Sequence, residues 1–170
     1  MHFIQEKSLN LILNLKTMHP VSTKITEIIS IHAQTLQHIN DDEAAQRPAP
    51  GKWSKKEELG HLIDSALNNL RRFTVAQYEQ EPHIIYAQEV CVRINNYNTQ
   101  SMLQLTRLWL LLNQQIVQVL DNMSVEAAQR TCNTGNDAPE LHTLQWLAED
   151  YVKHLLHHLH HILNLEQVDY

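Results

Sequence analysis

Apolar residues recur at intervals of three and four along most of the chain, and four stretches sustain the pattern long enough to predict helices. The first opens at Pro20 and Ser22, carries Val21, Ile25, Ile28, Ile29, His32, Leu36 and Ile39, and ends at Asn40-Asp41-Asp42. Pro48, Pro50 and Gly51 then interrupt regular structure. Ser54 with Glu57 reads as a capping box, and the helix it heads is expected to reach about Gln77 with Leu59, Leu62, Ile63, Ala66, Leu70 and Phe73 on its core face. A third helix is expected from Thr99 to Leu120, and a fourth begins after a Thr143 cap. Residues 78–98, which contain Pro82, suit a short helix or an irregular loop, and the connector from Asp121 to Glu140 suits one helical turn after Ser124. No segment alternates at period two. Long helices joined by turn-rich connectors describe an all-α helix bundle.

The fourth helix carries the run His154-Leu155-Leu156-His157-His158-Leu159-His160-His161, in a chain with 12 histidines. Its interleaved leucines distinguish it from an affinity tag. At about 100° per residue, Leu144, Leu147, Tyr151, Leu155, Ile162 and Leu165 form one stripe. His158 lies within that stripe and His154 at its edge, with His161 just beyond. His157 falls farther round, and His160 points away, so these two are expected to face water. His154 and His158 share a face, which suits either a ligand pair for a divalent metal or a packed histidine face.

Composition narrows the setting. At 170 residues the chain fits one helical domain, expected over residues 20–170, with residues 1–19 as an N-terminal extension. Three glycines and five prolines are few. A net charge of -6 without a basic patch gives no footprint for nucleic acid or a membrane surface. Cys91 and Cys132 lack metal-ligand spacing, which suits a reducing, cytoplasmic setting. The first 19 residues do not read as a signal peptide, and Met18 suits a natural start.

A metal centre in a bundle needs ligands from facing helices, and the histidines open to that role are His32 and His38 on the first helix and, on the second, His61. By phase it shares a polar flank with Ser65, Asn68, Asn69 and Arg72, which either faces water or lines a cleft between helices. The stretch Pro50-Gly51-Lys52-Trp53-Ser54, continued by Gly60-His61-Leu62-Ile63-Asp64, resembles the first signature of the DinB-like (DinB/YfiT) superfamily. The stretch Asp150-Tyr151-Val152-Lys153-His154-Leu155-Leu156-His157-His158 resembles its second. The resemblance spans both halves of the chain. It implies a four-helix bundle with a long crossover connection, and a divalent metal held by His61, His154 and His158.

Three imidazoles leave open positions on an ion and favour zinc, with nickel as the alternative. Asp64, Tyr151 and His161 are candidates for contacts to the ligands or to substrate. His161 stands where many relatives carry glutamine, which places a fourth imidazole near the site. Gly60 suits a close approach. The resemblance further implies a metal-dependent transferase using a low-molecular-weight thiol on a small electrophilic substrate. A metal-dependent hydrolase and a noncatalytic binding or stress-response module are the alternatives. A homodimer is also implied, for which apolar surface around Trp109 and Trp146 is the candidate, unless these tryptophans belong to the core.

Overall fold

A computed structural model describes residues 18–165. Four long helices dominate it: α1 (His19–Gln37), α3 (Lys55–Val75), α5 (Met102–Asp121) and α7 (Leu144–Leu163). Between them lie the short helices α2 (Asp41–Ala44), α4 (Gln88–Asn95) and α6 (Val125–Ala128), a 3-10 turn over Tyr97–Thr99, and strands β1 (Thr131–Asn133) and β2 (Leu141–Thr143). The expected extension over residues 1–19 lies, as far as residue 17, outside the described residues, and His19 already belongs to α1. No described helix is long and apolar enough to cross a membrane.

Local chemistry sets the boundaries. Ser54 Oγ accepts from Glu57 N at 3.1 Å while Glu57 reaches back to Ser54 N at 2.9 Å, closing the expected capping box. The third long helix is headed by Ser101, which forms a capping box with Gln104, so it begins three residues later than the apolar pattern suggested. Thr143 caps α7, accepting from Trp146 N at 3.1 Å, and Ser124 caps the single turn of α6.

One open alternative is decided, and one feature escaped the hydrophobic pattern. Residues 78–98 hold α4, stopped by Asn96 in the left-handed region at φ 48°. The connector before α7 contains an antiparallel hairpin that pairs Thr131 with Thr143, Cys132 with His142 and Asn133 with Leu141. Strands of three residues are too short for alternation to register. A bridge from His83 to Asn133 and two hydrogen bonds from Arg72 to Ile84 O, at 3.1 and 2.9 Å, tie the 78–98 segment to this end of the bundle.

Helix α1 packs on α5 and α7, and α3 packs on the same two. Consequently α1 and α3 lie across the bundle from each other, as do α5 and α7, and the connections over residues 38–54 and 122–143 both cross it. The first crossing is pinned by Asp41, whose Oδ1 accepts from Met102 N at 2.7 Å and lies 3.1 Å from Lys56 Nζ. Ile25, Leu36, Leu59, Leu62, Phe73, Leu105, Ile116, Leu147, Leu155 and Ile162 fill the interior. Trp109 is fully buried among them, which removes it from the candidate dimer surface. Trp146 is exposed and stacks on His142 with ring centroids 3.8 Å apart. Leu165, placed on the α7 stripe by phase, falls past the helix end and is exposed.

Candidate metal centre

The neighbouring helices α3 and α7 bring three histidines together. His61 comes from the second turn of α3, and His154 and His158 come from successive turns of α7. One nitrogen from each ring lies within 4.8 Å of the other two, so the group has the geometry to hold a metal ion. The ring centroids of His61 and His154 are 4.9 Å apart, and His158 is 4.6 Å from both.

His61 is the residue whose phase was least favourable, yet it is only 1% exposed. The first half of α3 is covered nearly all round, with Lys56, Glu57, Leu59, Gly60, His61, Leu62, Ile63, Asp64, Ser65 and Ala66 all buried. A single apolar stripe describes a helix covered on one side, whereas α3 is flanked by α5, α7, α4 and the 3-10 turn. Gly60 makes the last contact available. A Cβ there would lie 1.9 Å from Cδ2 and 2.3 Å from Cγ of Tyr97, so the expected close approach is made by an aromatic ring.

The rings are held from behind. His158 Nδ1 is hydrogen-bonded to Glu58 Oε2, which leaves Nε2 for the centre. Ser65 Oγ lies 3.3 Å from His154 Nδ1, and Nε2 of His154 faces Nε2 of His61 at 3.0 Å. Trp53 packs over His61 with ring centroids 4.9 Å apart. His61 Nδ1 is buried and has no partner among the described residues. Such outer contacts fix the tautomer and direction of metal-binding histidines. Two nitrogens each about 2.0–2.1 Å from one ion sit about 2.9–3.4 Å apart for right-angle to tetrahedral coordination. The 3.0 Å separation of His61 and His154 fits that requirement.

Electrostatics prepares the same donors. Burial pulls His61 down to about 4, helped by the neighbouring His158 and opposed by Glu58. Burial together with His158, His61 and His157 pulls His154 down to about 3. Both rings are therefore neutral at pH 7, with a lone pair to offer.

The other candidates are placed elsewhere. Asp64 is buried, but its Oδ1 accepts from Tyr97 Oη at 2.7 Å and from Asn95 Nδ2 at 3.0 Å. Tyr151 is core, and its hydroxyl donates to Asn113 Oδ1 at 2.8 Å. His161 stands at the edge of the centre, half-exposed, with Nδ1 4.0 Å from Glu58 Oε1. His157 faces water as expected, whereas His160 is buried. The phase argument counted one stripe, but α7 also packs on α1, and this second flank, with Leu156 and Leu159, covers His160. The pKa of His32 on α1 is lowered, chiefly by burial and to a lesser degree by its neighbour His160.

Sequence reasoning missed Glu58, Trp53 and Ser65 as parts of this site. Glu58 lies three residues before His61 and Ser65 four after, so helical spacing placed both beside it. The pairing of Glu58 with α7 is a tertiary contact. Beyond Trp53 and Glu58 opens a cavity of about 740 Å³, bordered also by Arg47, Lys52, Lys55 and His161.

The model of the DinB superfamily matches residues 30–162. The chain belongs to the DinB superfamily. Among solved structures, this DinB superfamily protein is similar to YfiT from Bacillus subtilis, described as a probable metal-dependent hydrolase with an unusual four-helix bundle topology. The TM-score is 0.79 at 22% sequence identity, over 88% of this chain and 86% of that one. At that identity the likeness establishes the fold, a four-helix bundle of the same topology. None of the curated proteins matches the chain.

Proposed function

We propose that this DinB superfamily protein is a metal-dependent enzyme acting on a small molecule, with His61, His154 and His158 holding one divalent transition-metal ion. The convergence of three imidazole edges, two of them 3.0 Å apart, carries the reading. Zinc suits three nitrogen donors best, and nickel is next. Bound there, such an ion would supply Lewis acidity to activate a nucleophile and polarise an electrophile. The chain supplies the rest. Glu58 and Ser65 hold two of the rings in direction, Trp53 shields His61 from water, and the cavity beyond Trp53 and Glu58 receives the substrate.

Hydrolysis is the leading reaction, in line with the description of the YfiT neighbour. Transfer to a low-molecular-weight thiol is the second reading. It is favoured by Lys52 at the cavity border, which suits a thiol that carries a carboxylate; Arg47 and Lys55 beside it pair with Glu57 and Glu43. The test is to strip the protein with a chelator, restore zinc or nickel, and assay ester, amide and thiol-conjugation panels beside His154→Ala. Metal-restored turnover that the variant lacks is expected. Full metal binding without turnover on any panel would leave a binding module instead, and retained metal stoichiometry in His154→Ala would remove the site itself.

A further inference from the structure

His158 offers two nitrogens, and only one is needed by the three-histidine centre. Nδ1, on the other side of the ring, meets Glu58 Oε2, and the remaining oxygen of Glu58 lies 4.0 Å from Nδ1 of His161. That gap is too long for a direct hydrogen bond. Two donors each about 2.0–2.2 Å from one ion stand about 3.3–3.6 Å apart at the tetrahedral angle, so a small inward turn of the half-exposed His161 ring brings the pair to binding distance. Glu58, His158 and His161 each present a ligand atom within 4.8 Å of the other two. They line or adjoin the cavity beside Lys55 and Trp53, so the position is open to solvent ions.

We propose that Glu58, His158 and His161 form a second divalent-cation site that shares the His158 ring with the first centre. It deepens the reading of His61, His154 and His158 as a metal centre and rests on it for the sharing alone. One carboxylate oxygen and two imidazole nitrogens are a donor set for zinc, cobalt, nickel or copper rather than for magnesium or calcium. When both positions fill, the ring's remaining N–H proton leaves to solvent, and Glu58 changes from hydrogen-bond acceptor to ligand. His157, with its ring 4.4 Å from that of His161, is the competing surface imidazole.

The experiment is native mass spectrometry of the chelator-stripped full chain after loading with zinc, repeated on His161→Ala, His157→Ala and His61→Ala. The wild type is expected to hold two ions, His161→Ala one, and His157→Ala two. One ion in the wild type, unchanged in His161→Ala, overturns the second site. Two ions in both overturn it as well, because the extra ion then sits elsewhere. A single ion that His161→Ala loses and His61→Ala keeps would uphold the second site while the three-histidine centre failed. His161 is half-exposed and its truncation leaves the core intact, and circular dichroism checks this. Loading with copper(II) reads the shared ring: coupled ions lose EPR intensity relative to two isolated ones, and full intensity for two bound ions overturns the sharing.

Discussion

Helix α3 buries two polar side chains one turn apart, and the surrounding fold treats them in opposite ways. Asp64 faces α4 and the 3-10 turn, where Tyr97 and Asn95 both donate to Oδ1. Those bonds hold the 3-10 turn against the bundle beside the notch at Gly60. His61 faces α7, where it meets other acceptor-bearing rings. A proton on one Nε2 satisfies one pair and leaves the third lone pair facing it without a donor. Buried polar groups are normally satisfied. The Asp64 cluster satisfies Oδ1 within the chain and leaves Oδ2 buried without a partner among the described residues, whereas the histidine cluster turns one nitrogen of each of three rings toward a common point. A buried polar group next to a helix signature is therefore ambiguous until its partners are known, since Asp64 and His61 look equally functional in the sequence.

The contrast is broken most strongly by deleting a proposed ligand. In His154→Ala the part of the stability gain on adding zinc that comes from the three-histidine centre should be lost; for an ion present at a thousandfold its Kd that part is about 4 kcal/mol. Denaturant unfolding with and without zinc measures it, and an undiminished gain would place the ion elsewhere.

Acid should act on the histidine cluster in the metal-free protein. His61 and His154 have folded pKa values near 4 and 3, below the usual 6.5. Between those values and 6.5 the unfolded chain binds more protons, so stability falls as pH falls. With both groups titrating, the slope they add approaches about 2.7 kcal/mol per pH unit. Unfolding of the wild type and His61→Ala from pH 7 to 4 should show the variant with a visibly shallower dependence.

The Asp64 side is broken by filling the notch. Gly60→Ala drives a Cβ into the base of the Tyr97 ring, where no flexible end can give way, and should cost about 1–3 kcal/mol. Tyr97→Phe removes the donor to a buried carboxyl and should cost about 1–3 kcal/mol. Thermal melts report both, and zinc affinity should change little in Tyr97→Phe if the two clusters are as separate as the bonds indicate.

The last expected effect sharpens the boundary of the proposed metal centre. Glu58→Gln keeps the shape but removes the charge behind His158, and zinc should bind about 10–100-fold more weakly. Isothermal titration measures this at a pH where the protein stays folded, and unchanged affinity would reduce Glu58 to a surface contact.

Much of this was legible in the linear chain. The caps at Ser54, Ser124 and Thr143 depend on residues three positions apart, so sequence spacing specifies them. The four long apolar stripes specify the bundle, and four-residue spacing puts His154 and His158 on one face. Joining them to His61 needed the family signatures, because phase counted its flank as polar and open. Two other facts were beyond the same reasoning: His160 is buried, and Glu58 reaches His158. A stripe tells which side of a helix is most apolar, but not how many neighbours the helix has, and both α3 and α7 are covered on more than one side.

Local spacing thus determined the four long helices, the caps at Ser54, Ser124 and Thr143 and the histidine pair, because those depend on contacts within one or two turns. The tertiary structure decided which polar groups lie inside and which partners they meet. It sent Asp64 to Tyr97, Tyr151 to Asn113 and Glu58 to His158. These outcomes depend on which helices end up adjacent, and that follows from the two connections that cross the bundle.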